Sequence, residues 1–326
     1  MIPLEDSPVT RDGKALILAY DHGLEHGPSA DFGSVPETLD PEKIFDIGTH
    51  DAVTSLAVQK GVAETYYPSY DDSVNLLAKL NGTSNLWTGE PYSPQNWTVE
   101  YAAEIGADAV GYTVYSGSNH ETEMYEDFRR VQEEAHSEYD LPVVMWSYPR
   151  GQGLKNDTKE SVIAYATRIA LEIGADMAKV KYPGSRESME WAVQSAGDVP
   201  VVMSGGSKVS DYEFLSSVEA VMDAGGSGLA VGRNVCSART PRRFSTRSNR
   251  SSSRTPPPTK HSTSDDARRR IADDGVQRRD FRGLRGRRAL GPRDSGRPRG
   301  TARKDRQSER VGRDATGRRR VGRRPQ

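Results

Sequence analysis

Eight short, continuous apolar runs, spaced almost evenly through the first 235 residues, constrain this chain more than any other feature. They occupy residues 15–21, 52–59, 76–81, 107–115, 142–148, 177–182, 199–206 and 228–234. Runs of this length are too short for helices and too uniformly apolar for strands with one wet face. They fit parallel strands buried on both sides. Amphipathic helical patterns fill the gaps. Residues 161–173, for example, put Val162, Ile163, Tyr165, Ala166, Ile169, Ala170 and Ile173 on helical spacing.

Three of the runs are introduced alike. Ile105-Gly106-Ala107-Asp108-Ala109-Val110 and Ile173-Gly174-Ala175-Asp176-Met177-Ala178 are near copies, and Ala224-Gly225-Gly226-Ser227-Gly228-Leu229 is a looser one. In each, a helix ends on glycine and a tight turn leads into the next strand. Eight strand–helix units predict an α/β fold closed into a (β/α)8 barrel, the TIM barrel, for which ~250 residues is typical. An open doubly wound sheet is the alternative, but no glycine fingerprint follows the first run to favour it.

Charge then divides the chain. Through Val235 there are 16 Lys and Arg against 37 Asp and Glu, a net of -21; from Cys236 onward there are 29 against 9, a net of +20. The total of -1 averages two unlike parts: a barrel domain at 1–235 and a low-complexity, Arg-rich tail at 236–326. The tail has no periodicity and is rich in Pro, Ser and Gly, a composition that predicts disorder. A basic arm of this kind can mark a nucleic-acid-binding segment. The acidic body suits a protein kept soluble at high salt, where binding to nucleic acid through such an arm would be weak.

The one cysteine, Cys236, offers no disulfide framework, and no run resembles a secretion signal or a membrane span. These features predict a cytoplasmic protein with no membrane partner.

In a barrel, reacting groups gather where strands end. The first run ends Ala19-Tyr20-Asp21-His22-Gly23, the fifth Trp146-Ser147-Tyr148-Pro149-Arg150-Gly151, the seventh Ser204-Gly205-Gly206 and the eighth Gly232-Arg233-Asn234; the sixth carries Lys179-Val180-Lys181-Tyr182. Lys179 and Lys181, two apart on a strand, share a face. A buried lysine with a neighbouring ammonium is suited to imine chemistry, although salt bridges from this pair to Asp21 or Glu25 would explain it equally well.

Ser204-Gly205-Gly206 and Gly232-Arg233 end the two strands whose loops most often bind phosphate in this fold, though Ser-Gly-Gly also suits a plain turn. Tyr148 is a candidate proton donor or a buried structural tyrosine. Asp21 could act as a base, bind a substrate hydroxyl or pair with lysine. His22 and His26 with Glu25 invite a metal reading, but Gly23 and Pro28 argue against the helix that would align them. No metal and no cofactor is expected.

Taken together and in order, these motifs, with Ala230-Val231-Gly232-Arg233-Asn234-Val235, resemble the archaeal-type class I fructose-1,6-bisphosphate aldolases from about Gly13 to Val235. The acidity of the body resembles haloarchaeal members. The resemblance implies a metal-independent lyase of glycolysis and gluconeogenesis that acts on a sugar phosphate and assembles as a homo-oligomer, a decamer or octamer. Lys179 would form the Schiff base and Tyr148 would transfer protons. Asp21, His22, Trp146, Arg150 and Lys181 would line the substrate site, and Ser204, Gly205, Gly206, Gly232 and Arg233 would hold phosphate. A sister branch using a similar lysine makes 2-amino-3,7-dideoxy-D-threo-hept-6-ulosonate. Trp146 and Tyr20 look more like the aldolase branch.

The resemblance also recasts the tail. The family continues after the last strand with Trp-Gln-Arg and an acidic helix, whereas here Val235 is followed by Cys236-Ser237-Ala238-Arg239. If residues 236–243 are written with the permitted codons TGC AGC GCG AGG ACC CCG AGG CGN, one added G makes them read Trp-Gln-Arg-Glu-Asp-Pro-Glu-Ala. The expectation is therefore a frameshift after Val235, with the eighth helix missing or out of frame. Loss of a covering helix is expected to exceed the usual margin of ~5–15 kcal/mol, so the chain as written should fold poorly.

Overall fold

The computed structural model describes residues 7–26, 36–206 and 209–236. The eighth helix and the whole 237–326 segment, on which the disorder and frameshift readings fall, lie outside the described residues.

Eight parallel strands close into a barrel in strict sequence order. They are β1 (Ala15–Ala19), β2 (Ser55–Val58), β3 (Leu76–Lys79), β4 (Ala109–Val114), β5 (Val143–Ser147), β6 (Met177–Val180), β7 (Val201–Ser204) and β8 (Gly228–Val231). The ring is sealed by β8 against β1, with Ala15 opposite Gly228 and Leu18 opposite Val231. Each strand lies inside its apolar run but is shorter than it. The residues trimmed from the C-terminal ends, such as Asp21, Tyr148 and Lys181, leave the ladder and border the barrel mouth.

The strands are buried almost throughout, as their apolar composition requires. Their outer layer includes α2 (Pro41–Gly48), α3 (Lys60–Tyr66), α4 (Val99–Ile105), α5 (Glu121–Glu138), α6 (Glu160–Glu172), α7 (Arg186–Ser195) and α8 (Asp211–Asp223), while the short α1 (His22–His26) and α9 (Arg233–Cys236) border the mouth. Helix starts follow their capping signals. Ser210 and Glu213 form a reciprocal capping box on α8, and Thr98 accepts from Tyr101 N–H at the start of α4. The 161–173 pattern corresponds to α6, which buries Ile163, Ala166, Ile169 and Ala170.

α1 corrects the sequence reading. Gly23 lowers helix propensity by only ~1 kcal/mol, and a single turn docked at the barrel mouth forms despite it. Pro28 falls beyond the described part of this segment.

The repeated Gly-Ala-Asp motif has a structural cause. Asp108, just before β4, accepts the Leu76 N–H that starts β3 at 2.7 Å, and Asp176, just before β6, accepts the Val143 N–H that starts β5 at 2.8 Å. Their backbone N–H groups donate back to Leu76 and Val143 carbonyls. Thr54, before β2, repeats the arrangement on Leu16 of β1. These clamps lie at the N-terminal end of the barrel, away from the mouth.

Candidate active site

Polar groups from five strand ends and α1 meet in one cavity at the C-terminal mouth. Asp21, His22, Tyr148, Arg150, Lys179, Lys181, Ser204, Gly205, Gly206, Gly232 and Arg233 line it, joined by His26, Ala19 and Ala230. Of the twelve residues expected from sequence, only Trp146 is not in this lining. It lies buried on β5, opposite Lys179 in register. Seven of the lining residues also border a wider hollow that runs toward Tyr182, Val209 and Phe214.

Lys179 is the chemically unusual residue. It is buried on β6, and its Nζ lies 4.3 Å from the centroid of the Trp146 ring. Among the described residues it makes no hydrogen bond or ion pair. Burial disfavours its charged form and brings its pKa down to about 8; Asp21 and Glu25 oppose the shift, while Lys79 and Arg233 add to it. A lysine with its midpoint near 8 holds far more free amine near neutral pH than an ordinary lysine, and that free amine is a nucleophile for carbonyl carbon.

The second ammonium is not the one expected. Lys181 lines the cavity, but β6 ends at Val180 and the Lys181 Nζ is held by Asp157 Oδ2. The lysine that acts on Lys179, ahead of Arg233, is Lys79, fully buried at the end of β3. Its Nζ donates to Glu25 Oε1 at 3.2 Å, Asn81 Oδ1 at 2.9 Å and the Asn81 carbonyl at 2.5 Å, and stands 5.4 Å from the Trp146 ring centroid. A lysine inside a buried apolar run was the available signal for it. Asn81, at the end of that run, is fully buried and donates to the Ser93 and Thr113 carbonyls.

Asp21 faces competing influences. Burial alone would raise its carboxyl, but Lys179, then Lys79, His22 and His26, outweigh it and hold it below the usual carboxylate value. Glu25 differs: burial pushes it up, and Lys79 offsets this only in part. Tyr148 is raised well above an ordinary phenol, chiefly by burial and then by Asp21, with a Ser204 hydrogen bond opposing. It is therefore a protonated hydroxyl beside an ionised carboxylate. Asp21 Oδ2, His22 Nε2 and Trp146 Nε1 are buried polar atoms without a hydrogen-bond partner, and such atoms are costly unless a ligand meets them.

The glycines at the mouth have separate causes. A Cβ on Gly232 would lie 2.2 Å from the Ala19 carbonyl oxygen, so the end of β8 can approach β1 only without a side chain. Gly206 has φ 61°, in the left-handed region. A Cβ on Gly205 would lie 3.1 Å from Val231 Cγ1 of β8, and without side chains the Gly205-Gly206 loop leaves backbone open to the cavity beside Arg233, an arrangement suited to an anion.

The family model for DeoC/LacD family aldolases matches residues 15–238. The class 1 fructose-bisphosphate aldolase of Halobacterium salinarum is 67% identical over 244 residues, covering 75% of this chain and 92% of that protein. Its counterpart in Thermoproteus tenax is 49% identical over 235 residues, covering 72% and 88%. A solved archaeal fructose-1,6-bisphosphate aldolase, with its catalytic lysine covalently bound to a carbinolamine intermediate, matches at 47% identity and TM-score 0.70, covering 73% of this chain and 94% of that one. With a closed barrel and a buried lysine at its mouth, this chain belongs to the DeoC/LacD aldolase family, among the class 1 fructose-bisphosphate aldolases.

Proposed function

We propose that the chain cleaves fructose 1,6-bisphosphate reversibly to dihydroxyacetone phosphate and glyceraldehyde 3-phosphate through an imine on Lys179. The observation that carries the assignment to this residue is the unpaired Lys179 amine, depressed to about 8, at the cavity floor. Its amine adds to the ketone carbon, and loss of water gives a protonated imine. A proton leaves the C4 hydroxyl and the C3–C4 bonding electrons flow to the imine nitrogen. Glyceraldehyde 3-phosphate departs, leaving an enamine. Protonation at C3 and addition of water then release dihydroxyacetone phosphate and restore the amine.

Tyr148 is the proton carrier in this scheme, supported by its protonated state and its place in the cavity lining. Asp21 and His22, each with an unpartnered buried atom, would accept and donate to substrate hydroxyls. Arg150 and Lys181 would take the distal part of the substrate, and Trp146 would support the imine nitrogen from beneath. Ser204, Gly205, Gly206, Gly232 and Arg233 would hold a phosphate. Sodium borohydride with dihydroxyacetone phosphate should add one reduced three-carbon phosphate adduct at Lys179. Adduct persisting in Lys179→Ala would refute the assignment. A direct cleavage assay on fructose bisphosphate separates this activity from heptulosonate synthesis.

We further infer a cytoplasmic homo-oligomer, decamer or octamer. Exposed Tyr165 and Trp191, on α6 and α7, supply apolar surface for contact between copies. No helix among the described residues is long and apolar enough to cross a membrane. The aldolase body is assigned to 1–235 and the remainder to off-frame translation. The family match ending at 238, three residues past Val235, supports that division.

A further inference from the structure

Two lysines share one tryptophan. Lys179, on β6, and Lys79, on β3, lie 4.3 and 5.4 Å from the Trp146 ring centroid, so their ammonium nitrogens are within about 10 Å of each other. Their surroundings differ sharply. Lys79 is fixed by three acceptors, while Lys179 has no hydrogen-bond partner among the described residues. Trp97 Nε1 donates to the Lys79 carbonyl at 2.7 Å, and Asn81 Oδ1 is itself fixed by the Thr113 N–H, also at 2.7 Å. Lys79 therefore has little freedom to swing toward the cavity, and it is absent from the cavity lining.

Only one of the Lys79 acceptors is a carboxylate, Glu25 Oε1, contributed by α1, which follows β1, two strands from β3. The arrangement is a fully buried cation and a largely buried anion, both absent from the cavity lining yet close enough to act on the reactive amine. Removal of either member leaves the other uncompensated in a low-dielectric setting.

We propose that Lys79 and Glu25 are positioning residues for the aldolase reaction, a buried charge pair behind Trp146 that sets the electrostatic balance at Lys179 without touching substrate. The proposal rests on Lys179 as the imine-forming residue. The other charged or titratable groups lining the cavity with Lys179 are Asp21 after β1, His22 and His26 on α1, Tyr148 and Arg150 after β5, Lys181 after β6, and Arg233 after β8. The Glu25 N–H donates to the Asp21 carbonyl at 3.5 Å, a backbone bond that Glu25→Gln keeps.

The two members act on Lys179 with opposite sign, and this distinguishes the pair from a merely structural feature. Lys79 favours the free amine and Glu25 favours the ammonium. Loss of Lys79 in Lys79→Met should move the pH midpoint of imine formation upward, and loss of Glu25 in Glu25→Gln should move it downward. Each shift should be about one pH unit at this separation. The double variant removes both charges and should return the midpoint close to that of the parent protein, as should the charge-preserving Lys79→Arg.

The readout is the rate of cyanoborohydride trapping of dihydroxyacetone phosphate against pH, with the full chain in concentrated potassium chloride. Circular dichroism establishes that each variant is folded. Opposite shifts with recovery in the double variant would support the pair. Shifts in the same direction, no shift, or a double variant worse than both singles would overturn it. Trapping that is absent in the parent chain, or that survives Lys179→Ala, would instead overturn the imine assignment beneath it.

Discussion

Lys179 on β6 lies across the face of Trp146 on β5, its Nζ 4.3 Å from the ring centroid, and the two are paired in register between adjacent strands. The contact directs the amine without using a hydrogen bond, which leaves the nitrogen lone pair available once the proton is lost. Trp146 is itself fixed from the opposite strand neighbour: a Cβ on Gly111 would lie 2.6 Å from the indole Cζ3.

Gly111→Ala should therefore act on chemistry through packing. Overfilling this contact should cost about 1–3 kcal/mol of stability. It should also displace the indole under Lys179. Urea unfolding and trapping rates measured together are expected to fall in parallel, and an unchanged unfolding midpoint would contradict the packing described.

Activity should depend on pH through Lys179. The amine is protonated below its midpoint of about 8 and free above it, so imine formation should rise tenfold per pH unit on the acid side and level off above about 8. The same group gives a stability effect of defined sign. Between about 8 and its ordinary 10.5 the unfolded chain holds the extra proton, so unfolding free energy should increase with pH across that window. Chemical denaturation at both ends of the window checks the direction.

Tyr148→Phe should separate covalent capture from turnover. The imine can still form on Lys179, but loss of the phenolic proton carrier should slow turnover by about 10²–10⁴-fold. Trapping with unchanged stoichiometry, alongside a collapsed cleavage rate, is the expected pair of results. Full cleavage activity would remove Tyr148 from the mechanism.

Asp176→Ala tests the clamps at the other end of the barrel. The substitution leaves the Val143 N–H and the His136 ring, 2.6 Å from Asp176 Oδ2, without their acceptor. The cost should be about 1–3 kcal/mol. Because Asp176 lies below the strands and the chemistry above them, the purified variant should retain its turnover at low temperature. A large loss of turnover without loss of stability would show coupling between the two ends.

Restoring the reading frame after Val235 should give a chain with a sharper thermal transition and a higher Tm than the written sequence. Differential scanning calorimetry of both chains decides this. Equal and fully cooperative melts would remove the frameshift account of residues 236–326.

The sequence made the barrel legible because buried parallel strands leave an unmistakable trace of apolar runs, and each of the eight contains its strand. Their ends were less legible. The run through residues 177–182 gives no sign that hydrogen bonding stops at Val180, and so spacing points to Lys181 as the partner ammonium although its side chain turns to Asp157. Lys79 and Glu25 are 54 positions apart and come together only when the barrel closes. Neither sits in a motif that spacing could reveal. The one-turn helix α1 was hidden by Gly23, whose unfavourable propensity is outweighed by docking.

The clamps of Thr54, Asp108 and Asp176 imply a grammar for rearranging this barrel. Each joins an even-numbered strand to the odd-numbered one before it, so β1–β2, β3–β4 and β5–β6 behave as couplets. Between couplets no such reciprocal clamp is made among the described residues: backbone bonds join the strands at Leu56, Val110 and Ala178, with Asn75 Nδ2 donating to the Thr54 carbonyl at the first of these seams. New termini or grafted segments should then be accepted more readily after β2, β4 or β6 than within a couplet. A shuffled barrel cut at those seams would carry each strand-start clamp intact into its new surroundings.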